Sequence, residues 1–133
     1  MRPYLLAAAL VAALAFPSSA EDTCLIRVAT PYGRDDVMHV SGTMTCTAPF
    51  PGMSITVCLE SLKPASGTVG WVVEDCNTAF AAPGATTVSA SLAYCIGGGP
   101  ALVRGRANAV DQAGRPVSGV SAPTVVPGQQ NCF

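Results

Sequence analysis

Six cysteines dominate the reactive side chains of this 133-residue chain: Cys24, Cys46, Cys58, Cys76, Cys95 and Cys132. Thiols can hold a metal or close disulfides. Zinc sites favour close pairs such as C-x2-C, whereas the spacings here are 22, 12, 18, 19 and 37 residues. An even cysteine count at wide spacing reads as a disulfide framework, and three bridges are expected. His39 is the only imidazole, so any Ser-His-Asp arrangement would have to use it. Its neighbours Ser41, Thr43 and Thr45 place it on a polar strand face, which fits an exposed sheet residue better than a base. Met38, Met44 and Met53 are soft ligands that could serve copper, but Met38 and Met44 share a face with Val40, opposite His39, and read as core. Asp35-Asp36 lacks the oxygen-rich loop that calcium needs and reads as a solvated turn. No nucleophile elbow, phosphate loop, dinucleotide fingerprint or zincin motif occurs. The expectation is a protein that is not an enzyme, with no catalytic residues, no metal and no cofactor.

Charge narrows the partners. The formal net charge is −1, only 11% of residues are charged and 50% are hydrophobic. Nucleic-acid binders need a dense Lys/Arg surface, so no nucleic-acid partner is expected. Seven of the fifteen charged groups gather in two places. One is a polar strand face with Glu60, Glu74, Arg104, Arg106 and Asn108. The other is a loop with Tyr32, Arg34, Asp35 and Asp36. Arg suits bidentate contacts, and a Tyr beside Arg suits a binding anchor. Both sets are candidate binding residues.

The first twenty residues belong to export. Arg2 gives a short positive region, Leu5 to Phe16 an apolar run, and Pro17-Ser18-Ser19-Ala20 a break followed by small residues. This is the pattern of a secretory signal peptide. The run is too short for a bilayer span, which needs roughly twenty residues. Cleavage after Ala20 is expected, leaving residues 21–133 as one secreted domain. Arg2 is the sole charge removed, so the formal charge moves from −1 to −2. No second long apolar stretch follows, and no transmembrane segment is expected in the mature chain. The compartment is extracellular, or periplasmic if the source has an outer membrane.

The elements that must position these groups are strands. Short Val/Thr/Ser/Ile runs are cut every ten to fifteen residues by Gly, Pro and Asn, the signature of an all-β sandwich or barrel. Seven strands are predicted, over residues 23–29, 37–47, 53–61, 69–77, 86–95, 101–110 and 116–126. Alternation assigns inward faces to Met38, Val40, Met44 and Cys46, to Met53, Ile55, Val57 and Leu59, to Val69, Trp71 and Val73, to Val88, Ala90, Leu92 and Tyr94, and to Val103, Gly105, Ala107 and Ala109. One buried face per strand means antiparallel sheets packed face to face. The inward residues are mostly small, so a thin core is expected. Cys58 and Cys76 share outward parity across one hairpin, which sets Leu59 opposite Asp75 and centres the turn at Gly67. Cys24–Cys46 would join the first two strands, leaving Cys95–Cys132.

The strand order, Trp71 and the stretch Leu102-Val-Arg-Gly-Arg-Ala-Asn-Ala-Val110 resemble an immunoglobulin-like or fibronectin-like sandwich. More narrowly, Ile55-Thr-Val-Cys58, Gly70-Trp71, Cys76 and the Arg-rich strand resemble small secreted bacterial domains of uncharacterised function. The resemblance spans about residues 37–122. It implies a disulfide-stabilised two-sheet sandwich and no shared catalytic set. Antibody-type domains differ: Trp71 falls on the fourth predicted strand, and the sixth has no cysteine. The function expected is a secreted, non-enzymatic binding or envelope-associated module with an unknown protein or cell-envelope partner. The alternative is a secreted inhibitor of an extracellular protease, acting through a disulfide-flanked loop. Lys63 and Arg115 each precede a proline, so Arg34-Asp35 would be the inhibitory bond.

Overall fold

In a computed structural model, residues 23–34, 37–65, 67–96 and 100–126 are described. They form β1 (Cys24–Val28), β2 (Tyr32–Arg34), β3 (Val37–Cys46), β4 (Ser54–Ala65), β5 (Thr68–Phe80), β6 (Thr87–Tyr94), β7 (Ala101–Val110), β8 (Pro116–Val120) and β9 (Thr124–Val126). There is no helix among the described residues. The all-β, two-sheet antiparallel arrangement expected from alternation is borne out. In the first sheet β3 is central, with β1 and β2 along one edge and β6 along the other. The second sheet runs β5-β4-β7, with β8 and β9 sharing the far edge of β7.

Nine strands replace the predicted seven for two reasons. Segment 32–34 reads as a turn because Pro31 and Gly33 flank Tyr32. Yet β1 ends at Val28 opposite Gly42, and the rest of the β3 edge accepts β2, with Tyr32 opposite His39. The last predicted strand is divided because Pro123 has no N–H for a ladder. At that break Ser121 replaces strand pairing. Its N–H donates to the Gly105 carbonyl at 2.9 Å, and its hydroxyl accepts from the Gly105 N–H at 2.9 Å.

The core lies between the sheets. Met38, Val40, Met44 and Cys46 of β3 meet Ile55, Val57 and Leu59 of β4, Val88 and Ala90 of β6, and Val103 and Ala107 of β7. Met38 and Met44 are fully buried there. The small inward residues let the sheets approach closely. A Cβ built on Gly105 would lie 2.5 Å from Val40 Cγ2 and 2.8 Å from Val28 Cγ1, so only glycine fits between those valines.

Two disulfides staple neighbouring strands. Cys24–Cys46 joins β1 to β3, and Cys58–Cys76 joins β4 to β5, each between directly opposed residues. Both pairings match expectation. Cys95 is also disulfide-bonded; its expected partner, Cys132, lies outside the described residues.

One expectation fails. Val69, Trp71 and Val73 do not point into the core. The β4–β5 register holds from Ser54↔Phe80 to Leu59↔Asp75, then shifts, and Glu60 faces Val73. Glu74 is the extra residue of a β-bulge, and a one-residue slip reverses the parity of everything beyond it. Val69 and Val73 are exposed as a result. Trp71 stands opposite Leu62, on the outer face with Glu60.

The β7–β8 hairpin carries a carboxylate clamp. Asp111 Oδ1 accepts from the N–H groups of Ala113 and Arg115 at 2.9 Å each, and Oδ2 accepts from Arg115 Nε at 2.9 Å. Gly114, at φ 78°, completes the turn. The Arg115 N–H, then the Ala113 N–H and the Arg115 charge, hold the Asp111 carboxyl below its ordinary range against the opposing effect of burial. A depressed acid gives stability above its unfolded pKa, near 4, and that contribution is lost as pH falls through the folded value. Asp111→Asn is therefore expected to lower the urea midpoint at pH 7. The gap from wild type should narrow below pH 4. A gap that is constant from pH 7 to pH 3 would remove the carboxylate from the account.

Candidate binding face on the five-stranded sheet

The outer face of the β5-β4-β7-β8/β9 sheet gathers most of the predicted strand-face residues. Glu60 on β4 lies directly opposite Arg104 on β7, and Cys58 lies opposite Arg106. Antiparallel partners share a face, which brings both arginines to one carboxylate. Arg104 Nε donates to Glu60 Oε1 at 2.8 Å, and Arg106 Nε lies 3.2 Å from Oε2. The bulge then adds what alternation placed in the core: the Arg104 guanidinium carbon sits 4.2 Å from the centroid of the Trp71 ring. Arg104 is thus held between a ring and a carboxylate, a contact worth about 0.5–2 kcal/mol for the ring alone. Glu60 is 6% exposed although it sits on an outer face, because the arginines cover it. The cluster carries one more positive than negative charge, and the Arg106 side chain is its most exposed ionic group. Asn108 continues the row opposite Thr56.

The same face carries exposed apolar residues among polar ones such as Thr56, Thr78 and Asn108. Val69 and Val73 lie near this centre on β5 and Phe80 lies toward the other end of that strand, while Val110, Val120 and Val125 stand on β7, β8 and β9, each of the six between 46% and 74% exposed. These six are three quarters of the eight large hydrophobics that are exposed among the described residues; Leu25 and Tyr32 belong to the first sheet. Sequence reasoning missed the β5 part of this field, since a bulge leaves no composition signal. The broken alternation of Trp71-Val72-Val73-Glu74 is the one trace of it.

Glu74 does not join the face. As the bulge residue it turns toward Ser61, whose hydroxyl donates to its carboxylate, and toward Lys63, whose Nζ lies 2.6 Å from Oε2. Burial would raise the Glu74 carboxyl. The hydrogen bonds from Lys63 and Ser61, the Lys63 charge and the Tyr94 hydroxyl outweigh it and hold the group below its ordinary value. The expectation that Glu74 lies outward beside Glu60 is corrected by the same parity change.

The loop set divides. Tyr32 is exposed and stacks on His39, with centroids 5.2 Å apart. Arg34 ends β2 opposite Val37, within a hairpin ladder. Both lie on the first sheet, away from Arg104 and Arg106. Asp35 and Asp36 lie outside the described residues. At one end of the sandwich an apolar cleft of about 470 Å3 is lined by Pro49, Phe50, Met53, Ala81 and Pro83 among others. Among the described residues no ionisable side chain lines it, so those residues offer little directional chemistry.

Among the described residues no three His, Cys, Asp or Glu side chains come together as a metal-binding group, and no helix is long and apolar enough to cross a membrane. The disulfides are compatible with a non-cytoplasmic, oxidising compartment.

No protein-family model matches the chain, and no curated protein matches it. Among solved structures it is similar to a protein assigned as ApaA from Bordetella pertussis, at 13% identity over 84% of this chain and 96% of that one, with a TM-score of 0.34. A likeness at that level carries no argument about fold or function.

Proposed function

We propose that this chain is an exported, non-enzymatic binding module of immunoglobulin-like type, and that it engages a partner protein through the outer face of its five-stranded sheet. The observation that carries this reading is the concentration, on the one face that holds Trp71, Arg104 and Arg106, of six of the eight large hydrophobics exposed among the described residues. Exposed apolar residues concentrated on one face are typical of interaction sites. Trp and Arg are the residue types that most often anchor them. The cluster is also pre-organised: Glu60 and Trp71 fix the Arg104 guanidinium before any partner arrives, which lowers the ordering cost of binding. Export rests on residues 1–20 and on the disulfide framework. The first-sheet loop with Tyr32 and Arg34 is not part of this surface.

The test compares capture from cell-envelope extracts by three immobilised proteins: wild type, a Val73→Asp/Phe80→Asp variant of the face, and a Thr43→Asp control on the opposite sheet. Wild type and the control should recover the same identified partner, with recovery by the face variant reduced at least tenfold, as expected when an apolar contact is replaced by an unpaired charge. Equal recovery by all three would remove the face from the account.

A further inference from the structure

We infer that a groove on the first sheet, between β2, β3 and β6, binds a neutral saccharide unit. It is separate from the partner surface proposed above, on the other sheet, and does not depend on it. The groove has a volume of about 230 Å3 and is lined by Tyr32, His39, Ser41, Ser91 and the adjoining β3 and β6 chain. Strand register assembles it. Tyr32 lies across from His39 on one side, Ala93 lies across from His39 on the other, and Ser41 lies across from Ser91. The side-chain amide of Asn77 donates to the Ser91 carbonyl at 2.8 Å and steadies the β6 wall.

Two features point to a ligand. The first is His39 Nε2, which is shut from solvent and has no hydrogen-bond partner. Buried polar atoms are nearly always paired, so an unpaired ring nitrogen beside a groove calls for a partner. Tyr32 stacks over the imidazole at an interplanar angle of 19°. It stands on a three-residue edge strand, so a modest slide of the ring opens a path to Nε2. One pair further along the same face the hydroxyls are partnered, because Thr43 Oγ1 and Ser89 Oγ bond each other at 2.8 Å.

The second feature is the kind of polar group. Serine hydroxyls both donate and accept hydrogen bonds, and an imidazole ring offers two nitrogens for hydrogen bonding. Among the described residues, no carboxylate, lysine or arginine lines the groove. A charged ligand would find no lysine, arginine or carboxylate of those residues to pair with, while its desolvation would cost free energy. Ligand hydroxyls, which also both give and take hydrogen bonds, match this lining. The Tyr32 ring, more than half exposed, adds a flat apolar wall of the sort that packs against the C–H face of a pyranose.

The experiment uses the purified, disulfide-intact protein, with amide and imidazole NMR resonances followed during titration. The probes are D-glucose, D-galactose, N-acetyl-D-glucosamine and disaccharides of each, with inorganic phosphate as the charged arm. At least one saccharide should shift His39, Ser41 and Ser91 resonances saturably, while phosphate leaves them unmoved. Tyr32→Ala should abolish those shifts, and Ser91→Ala should weaken binding by roughly threefold to tenfold, the loss of one neutral hydrogen bond. Both substitutions are outward, and an unchanged amide fingerprint elsewhere would show that each variant is folded. The inference is overturned if no saccharide moves the three resonances, if the shifts survive Tyr32→Ala, or if phosphate moves them and the saccharides do not.

Discussion

Replacing Arg104 and Arg106 together by alanine is expected to destabilise the fold by about 2–4 kcal/mol. Breaking a buried ion pair by removing one side costs roughly 3–5 kcal/mol, because the remaining charge is left uncompensated in a poor solvent. Glu60 is that charge: both of its oxygens face an arginine, and little of it reaches water. The figure is placed lower because the two long side chains also form its cover, and their removal lets water in. The Trp71 stacking on Arg104 is lost at the same time. Adding Glu60→Gln to the double variant removes the stranded charge and should return more than half of the loss. Urea unfolding followed by Trp71 fluorescence measures both steps. A double variant within about 0.5 kcal/mol of wild type, the ordinary range for surface changes, would mean that the cluster is a solvated charge ladder.

Removing the Cys58–Cys76 bridge is expected to cost about 3 kcal/mol. A disulfide acts mainly by restricting the unfolded chain, and a separation of 18 residues corresponds to roughly 3 kcal/mol of loop-closure entropy. The bridge joins β4 to β5, the strand at the free edge of the second sheet. A Cys58→Ser/Cys76→Ser variant should therefore show a lowered urea midpoint and faster amide exchange along Thr68–Phe80, with exchange in β3 changed only through global stability. β5 carries Trp71, Val73 and Phe80, so the same variant should loosen half of the proposed face. An unchanged midpoint would show that ladder hydrogen bonds alone fix the hairpin.

How far the sequence revealed this depends on where alternation is unbroken. In β3 the two-residue period runs for ten residues, and every inward assignment, from Met38 to Cys46, matches the buried face. In β4 and β7 the same period brought Glu60, Arg104, Arg106 and Asn108 to one face, so the charged heart of the candidate site was legible. Parity also set Cys58 opposite Cys76 and Leu59 opposite Asp75. The reading failed one residue beyond that pair. Whether Glu74 pairs or bulges is decided by competing contacts in three dimensions, among them Ser61 and Lys63. No local preference of Glu reports that outcome, so Trp71, Val73 and Val69 were assigned to the wrong side. β2 was hidden for a different reason. Three residues flanked by turn formers pair only because β1 leaves part of the β3 edge vacant, which is a tertiary effect. The stack of Tyr32 on His39, and the groove beneath it, follow from that pairing and were not legible.

The claim that the five-stranded sheet presents the recognition surface is tested most directly by covalent footprinting of the protein alone and in complex with its captured partner. Side chains are labelled by a small solvent-borne reagent and read by mass spectrometry. The account predicts strong protection on binding at Trp71, Val73, Phe80 and Val120, with Leu25 and Tyr32 on the first sheet labelled at their free rates. Protection of Leu25 and Tyr32 with Val73 and Phe80 unchanged would contradict it and move the interface to the opposite face of the sandwich.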